Sequence, residues 1–145
     1  MKFTGECNCG DVSFEVSGSM PAMYKCYCRL CQKQSGTGSN AATIVPDSNF
    51  RWLQGKDSVV KWQKSTGFNS HFCPICGCPC PNTLGEKFVW IPMGLIERME
   101  NTVVVDLFED YKPAWETSCR SEIQLSQGAD SVAQLFELLS DHART

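Results

Sequence analysis

The sequence predicts a mainly β chain closed by one C-terminal helix. Three observations lead there: apolar and polar residues alternate over short stretches, turn residues recur between those stretches, and only the last stretch carries a helical period. The first clear strand is "DVSFEVSG", where Val12, Phe14 and Val16 alternate with Ser13, Glu15 and Ser17, as a strand with one buried face requires. Further strands are expected over 22–28, 39–45, 50–53, 58–64, 70–73, 88–93 and 103–109. A helix is expected at about 131–143. There Ser131 and Gln134 have capping-box spacing, Val132, Leu135, Phe136 and Leu139 form one apolar stripe, and His142 and Arg144 suit the negative end of the helix dipole.

Composition narrows the function classes. The 145 residues are expected to form one domain over 1–145, and at 42% hydrophobic and 20% charged they match a soluble globular protein. No apolar run is long enough to span a bilayer, and "MKFTGECNCG" lacks the basic and apolar regions of a secretory signal, so the expected location is cytoplasmic. A net charge of −3 and a pI near 5.3 lack the basic surplus that nucleic acid or an anionic membrane surface calls for; neither is an expected partner.

Ten cysteines in a reducing compartment point to metal rather than to disulfides. They form three clusters, Cys7 and Cys9 in "CNC", Cys26, Cys28 and Cys31 in "CYCRLC", and Cys73, Cys76, Cys78 and Cys80 in "CPICGCPC", with Cys119 alone. Residues two apart on an extended strand share a face, so Cys7 with Cys9, and Cys26 with Cys28, can each turn two sulfurs to one ion. In "FCPICG" the two thiols bracket a tight turn, and Gly77 can take the positive φ that follows it. "CNCG" ends in Gly10 in the same way, whereas Cys31 is followed by Gln32. The glycine-ended pairs are therefore expected to combine, with Cys7, Cys9, Cys73 and Cys76 forming a closed, structural zinc site.

That leaves Cys26, Cys28 and Cys31. Three protein ligands plus one open position is how catalytic zinc sites are built, and a substrate thiol taking the fourth position would lose its proton and become a nucleophile for a small electrophile such as an aldehyde. Lys25, Arg29 and Lys33 lie beside the triplet and suit an anionic substrate or simply a solvated surface.

These motifs resemble the glutathione-dependent formaldehyde-activating enzymes, also called the CENP-V/GFA family. "GECNCG", "CYCRLCQKQSG", "HFCPICG" and "KPAW" follow one another in the family's order, covering the chain nearly to Trp115. The resemblance implies a mainly β, Mss4-like fold with two Zn²⁺ per chain, structural on the glycine-ended pairs and catalytic on the triplet. It also implies a carbon–sulfur lyase that joins glutathione, or a similar thiol, to formaldehyde or another small aldehyde, as an S-(hydroxymethyl)glutathione synthase does. Two positions depart from the pattern: Tyr27 and Asp106 stand where many members carry His, with consequences expected for substrate contacts. Cys78 and Cys80 read as small residues on a strand leaving the turn, with ligation the alternative; Cys119 reads as a buried or half-buried thiol. His71 reads as a strand histidine, and Trp90 and Trp115 as candidates to line a pocket. The terminal helix either caps the core or forms a homodimer. Two competing classes remain: a non-catalytic Mss4-like zinc module that binds protein, which leaves the triplet without a role, and a chromatin or nucleic-acid binder, which the acidic pI opposes.

Overall fold

The alternation read at residues 12–17 is realised: Phe14 and Val16 are fully buried while Ser13, Glu15 and Ser17 are not. The computed structural model describes residues 1–143. In chain order its strands are β1 (Lys2–Glu6), β2 (Ser13–Ser17), β3 (Met23–Cys26), β4 (Asn40–Pro46), β5 (Phe50–Gln54) and β6 (Val60–Gln63). They continue with β7 (Asn69–Phe72), β8 (Asn82–Leu84), β9 (Phe88–Pro92), β10 (Val103–Leu107) and β11 (Ile123–Gln124). Helix α1 (Arg29–Ser35) follows β3, and α2 (Val132–Ser140) follows β11.

Three sheets result. β1, β2 and β5 form an antiparallel sheet, β6 and β7 a hairpin, and the main sheet runs β11-β10-β3-β4-β9-β8. Within the main sheet β10 lies parallel to both β3 and β11, and the remaining pairs are antiparallel. Because strand side chains alternate between faces, the main sheet carries two cores. On one face Val45, Val89 and Ile91 meet Phe14 and Val16 of the small sheet. On the other, Tyr24, Cys26, Ile44 and Trp90 lie in the cluster that α2 closes with Leu135 and Leu139. Leu139 is fully buried, which is worth roughly 1.5–3 kcal/mol of hydrophobic stabilisation.

The predicted terminal helix is present and shorter. Ser131 Oγ accepts from Gln134 N at 3.0 Å, and Gln134 Oε1 accepts from Asp130 N at 2.7 Å, so the start is capped reciprocally. It ends at Ser140; His142 binds Leu138 O at 2.9 Å, and Arg144 lies outside the described residues. Helix α1 corrects the expectation that only the end is helical. "RLCQKQS" is too short to show an apolar stripe, and its limits are set by a Cys28 cap and by Gly36 in the left-handed conformation at φ 70°. No helix among the described residues is long and apolar enough to cross a membrane.

Candidate metal centres

Two groups of sulfurs converge. Those of Cys7, Cys9, Cys73 and Cys76 all lie within 4.8 Å of one another, and so do those of Cys26, Cys28 and Cys31. Both groups could hold a metal ion, and they match the division expected from spacing.

The quartet is built from two turns. Cys7 follows β1, and Gly10 N donates to Cys7 O at 3.0 Å to close a turn that ends with Gly10 at φ 81°. Cys73 follows β7, and Gly77 N donates to Cys73 O at 2.9 Å with Gly77 at φ 73°. The Cys7–Cys9 pair therefore presents its two sulfurs from a turn and not from an extended strand, which corrects the strand geometry assumed for it. Hydrogen bonds to sulfur complete the cradle: Val12 N donates to Cys7 Sγ at 3.4 Å, and the backbone N–H of Cys78 leads the effects that draw the Cys76 thiol down to about 6. Cys7–Cys9 and Cys9–Cys73 sulfur separations are both 3.6 Å. Four thiolates around zinc at about 2.3 Å require about 3.8 Å between sulfurs, so the donor set and its spacing fit that ion. Cys73 is fully buried and Cys7 nearly so, within a small core with Val12, Val59 and Cys80.

The triplet is built from one strand end and one helix start. Cys26 is the last residue of β3, Cys28 caps α1, and Cys31 lies in the first turn of that helix. Cys28 Sγ accepts from Cys31 N at 3.3 Å. Here too the strand geometry assumed for Cys26 and Cys28 gives way to a bend. Hydrogen bonds from Cys26 and Cys31 hold the Cys28 thiol far below its ordinary range, with backbone N–H groups assisting, while hydrogen bonding with Cys28 pushes Cys26 up to about 12.

The remaining expected residues separate. Cys78 and Cys80 join neither group; Cys80 N donates to His71 O at 2.8 Å, so this segment runs as a short extension beside β7. Cys119 is exposed, contrary to expectation, because its loop runs over the surface. His71 sits on β7 opposite Lys61, and burial first, then that lysine, lower its imidazole below the usual value. Lys25 and the two departures from the family pattern meet at one place. Asp106, fully buried, accepts from Ser121 N at 3.0 Å and Ser121 Oγ at 2.8 Å, with Lys25 Nζ 3.7 Å away. Tyr27, also fully buried, reaches Ser118 Oγ at 3.4 Å and lies 5.4 Å from both Lys25 Nζ and Lys112 Nζ. Burial opposes the Lys25 charge, but the Tyr27 hydroxyl and Asp106 outweigh it and raise its pKa. Tyr27 and Asp106 thus tether the 112–121 loop to the sheet. Arg29 is engaged with Gln32.

A recess of about 200 Å³ opens beside Cys31, walled by Tyr24, Gln34, Asn40, Phe68 and Trp90. Trp90 lines it as expected, whereas Trp115 is 66% exposed and packs over Gly38. A second recess shares Gln34 and Phe68 with the first and carries Lys33, Lys64 and Trp62. Tyr24 and Asn40 carried no sequence signal, because a lone tyrosine and a lone asparagine on strands have no spacing to betray them.

The family model described as "Glutathione-dependent formaldehyde-activating enzyme" matches residues 2–130, beyond Trp115 and up to the start of α2. Among solved structures, a Rhodobacter sphaeroides protein aligns with a TM-score of 0.55 at 20% identity, covering 70% of this chain and 99% of that one. At that identity the likeness concerns the fold alone.

Proposed function

The chain belongs to the glutathione-dependent formaldehyde-activating enzyme family, and on that premise we propose that it is a zinc-dependent enzyme of carbon–sulfur lyase type, joining glutathione or a similar thiol to formaldehyde or another small aldehyde. The observation that carries this reading is the inequality of the two sulfur groups: the quartet supplies all four donors of a tetrahedral site, while the triplet supplies three and borders a recess at Cys31. On this reading Cys7, Cys9, Cys73 and Cys76 hold a structural zinc, and Cys26, Cys28 and Cys31 hold a catalytic one. Zinc bound at the triplet would supply a Lewis acid that favours the thiolate form of a substrate thiol.

The chain's own groups account for the rest. Cys28 is fixed at the helix start by the Cys31 N–H, and the three sulfurs already converge, so the triplet is pre-arranged rather than assembled on binding. Phe68, Leu84 and Trp90 line the recess and limit its water. Lys33 and Lys64 face the adjoining recess without an ion-pair partner among the described residues, and the carboxylates of glutathione would meet them there. The experiment is metal analysis together with NMR exchange spectroscopy of glutathione and formaldehyde. Two zincs per chain and exchange faster than in buffer are expected; two zincs without acceleration would sink the reaction and leave a non-catalytic zinc module.

A further inference from the structure

A buried acceptor without a donor is costly, and one occurs beside the triplet. Asn40 is 9% exposed, and its Oδ1 has no hydrogen-bond partner. Its orientation follows from a chain of bonds. Asn69 O, a backbone carbonyl, can only accept, and it accepts from Gln34 Nε2 at 3.4 Å. Gln34 Oε1 therefore faces Asn40 and accepts from Asn40 Nδ2 at 3.1 Å, which leaves Oδ1 free. Asn40 pairs directly with Cys26 across β4 and β3, so the two side chains share a face, and Asn40 lines the same recess as Cys31.

A residue that can donate lines the same recess. Tyr24 lies two residues before Cys26 on that face, and its hydroxyl accepts from Trp90 Nε1 at 2.9 Å. An indole N–H can only donate, so the phenolic hydrogen is free for another acceptor. Tyr24 and Asn40 thus bring one hydroxyl-bearing and one amide-bearing side chain to the walls of this recess, beside the apolar Phe68, Leu84 and Trp90.

We infer that this recess recognises the oxygen that changes from aldehyde carbonyl to hydroxyl, with the Tyr24 hydroxyl donating to it throughout and Asn40 Oδ1 accepting from it once it is protonated. The inference rests on the thiol-plus-aldehyde reading and assigns the electrophile side of that site. In the reaction the carbon–sulfur bond forms, the carbonyl π pair moves to oxygen, and the proton released by the thiol ends on that oxygen, giving a hemithioacetal with no oxidant or reductant. A carbonyl can use only the donor, whereas the hydroxyl uses donor and acceptor together. The site therefore favours the adduct over the aldehyde by one hydrogen bond, about tenfold.

The test uses the metal-loaded chain and S-ethylglutathione, which places a methyl group where the hydroxymethyl adduct has its hydroxyl. Asn40→Leu should slow glutathione–formaldehyde exchange about tenfold and tighten S-ethylglutathione about tenfold, since the apolar methyl no longer faces an unpaired acceptor. Tyr24→Phe, a variant on the neighbouring strand, should slow exchange to a similar degree and leave S-ethylglutathione affinity within about twofold. Opposite signs in the Asn40 variant are what a merely structural role would not produce. Exchange and affinity falling together, or neither changing, would overturn the inference while leaving the reaction standing, because wild-type acceleration is measured alongside. A wild-type chain that neither accelerates exchange nor binds S-ethylglutathione would remove the reaction and the inference with it.

Discussion

The two sulfur groups use the same donor chemistry and differ in how the backbone delivers it. The quartet brings residues 7–9 to residues 73–76 through two glycine-ended turns, so an ion held there would staple the three-stranded sheet to the hairpin. The triplet comes from six consecutive residues at a strand-to-helix corner and staples nothing distant. An ion held at the first would therefore support long-range structure, while an ion held at the second would lie beside a surface recess. Beyond the difference in donor number, the two groups differ in the sequence distance their ligands close, and that distance governs how far the loss of an ion should be felt in the fold.

The largest effect should follow Cys73→Ser. This sulfur is fully buried and shared by the turn that closes the quartet, so its loss should cost about 4 kcal/mol or more, close to the whole stability of a small domain. Loss of soluble, cooperatively melting protein is the expected result; normal melting would erase the distinction between the two groups. Cys28→Ser should do the reverse, keeping the fold while reducing glutathione–formaldehyde exchange to its rate in buffer. Serine is itself a favoured N-cap and can accept from the Cys31 N–H, so the melting midpoint should move by only a few degrees, about 1 kcal/mol.

Chelation sharpens the same contrast kinetically. A chelator can enter an open position directly, whereas at a closed site a protein sulfur must leave first. One zinc should depart quickly with unchanged far-UV circular dichroism and the other slowly as structure is lost; simultaneous loss would mean that the two groups are equally closed. The smallest effect on function belongs to Gly77→Ala. A Cβ at Gly77 meets nothing within 4 Å, so its cost is only that of a left-handed backbone at φ 73°, about 1–2 kcal/mol. It should lower the melting temperature without changing exchange at the triplet.

Much of this molecule was legible from spacing. The sorting of sulfurs followed from Gly10 and Gly77, because a positive φ is a local demand that only certain residues meet at low cost. The alternation at residues 12–17 and the stripe of α2 were legible because each reflects one buried face repeating at a fixed period. Helix α1 was not, since seven residues present too few turns for a period to emerge and a cysteine is an uncommon cap. Strands β8 and β11, of three and two residues, exist only because β9 and β10 offer edges to pair with.

The features readable along the chain are local: which residues alternate, where turns close, and which thiols share a turn. Tertiary structure alone decided that Tyr27 and Asp106, nearly 80 residues apart, hold one loop to the sheet through Ser118 and Ser121. It alone brought Asn40 opposite Cys26, with its Oδ1 unpaired, into the recess that Tyr24 also lines. The physical reason is that hydrogen-bond satisfaction is a property of neighbours in space. A residue's own position along the chain carries its donors and acceptors, but strand register decides which of them find a partner and which are left for a ligand.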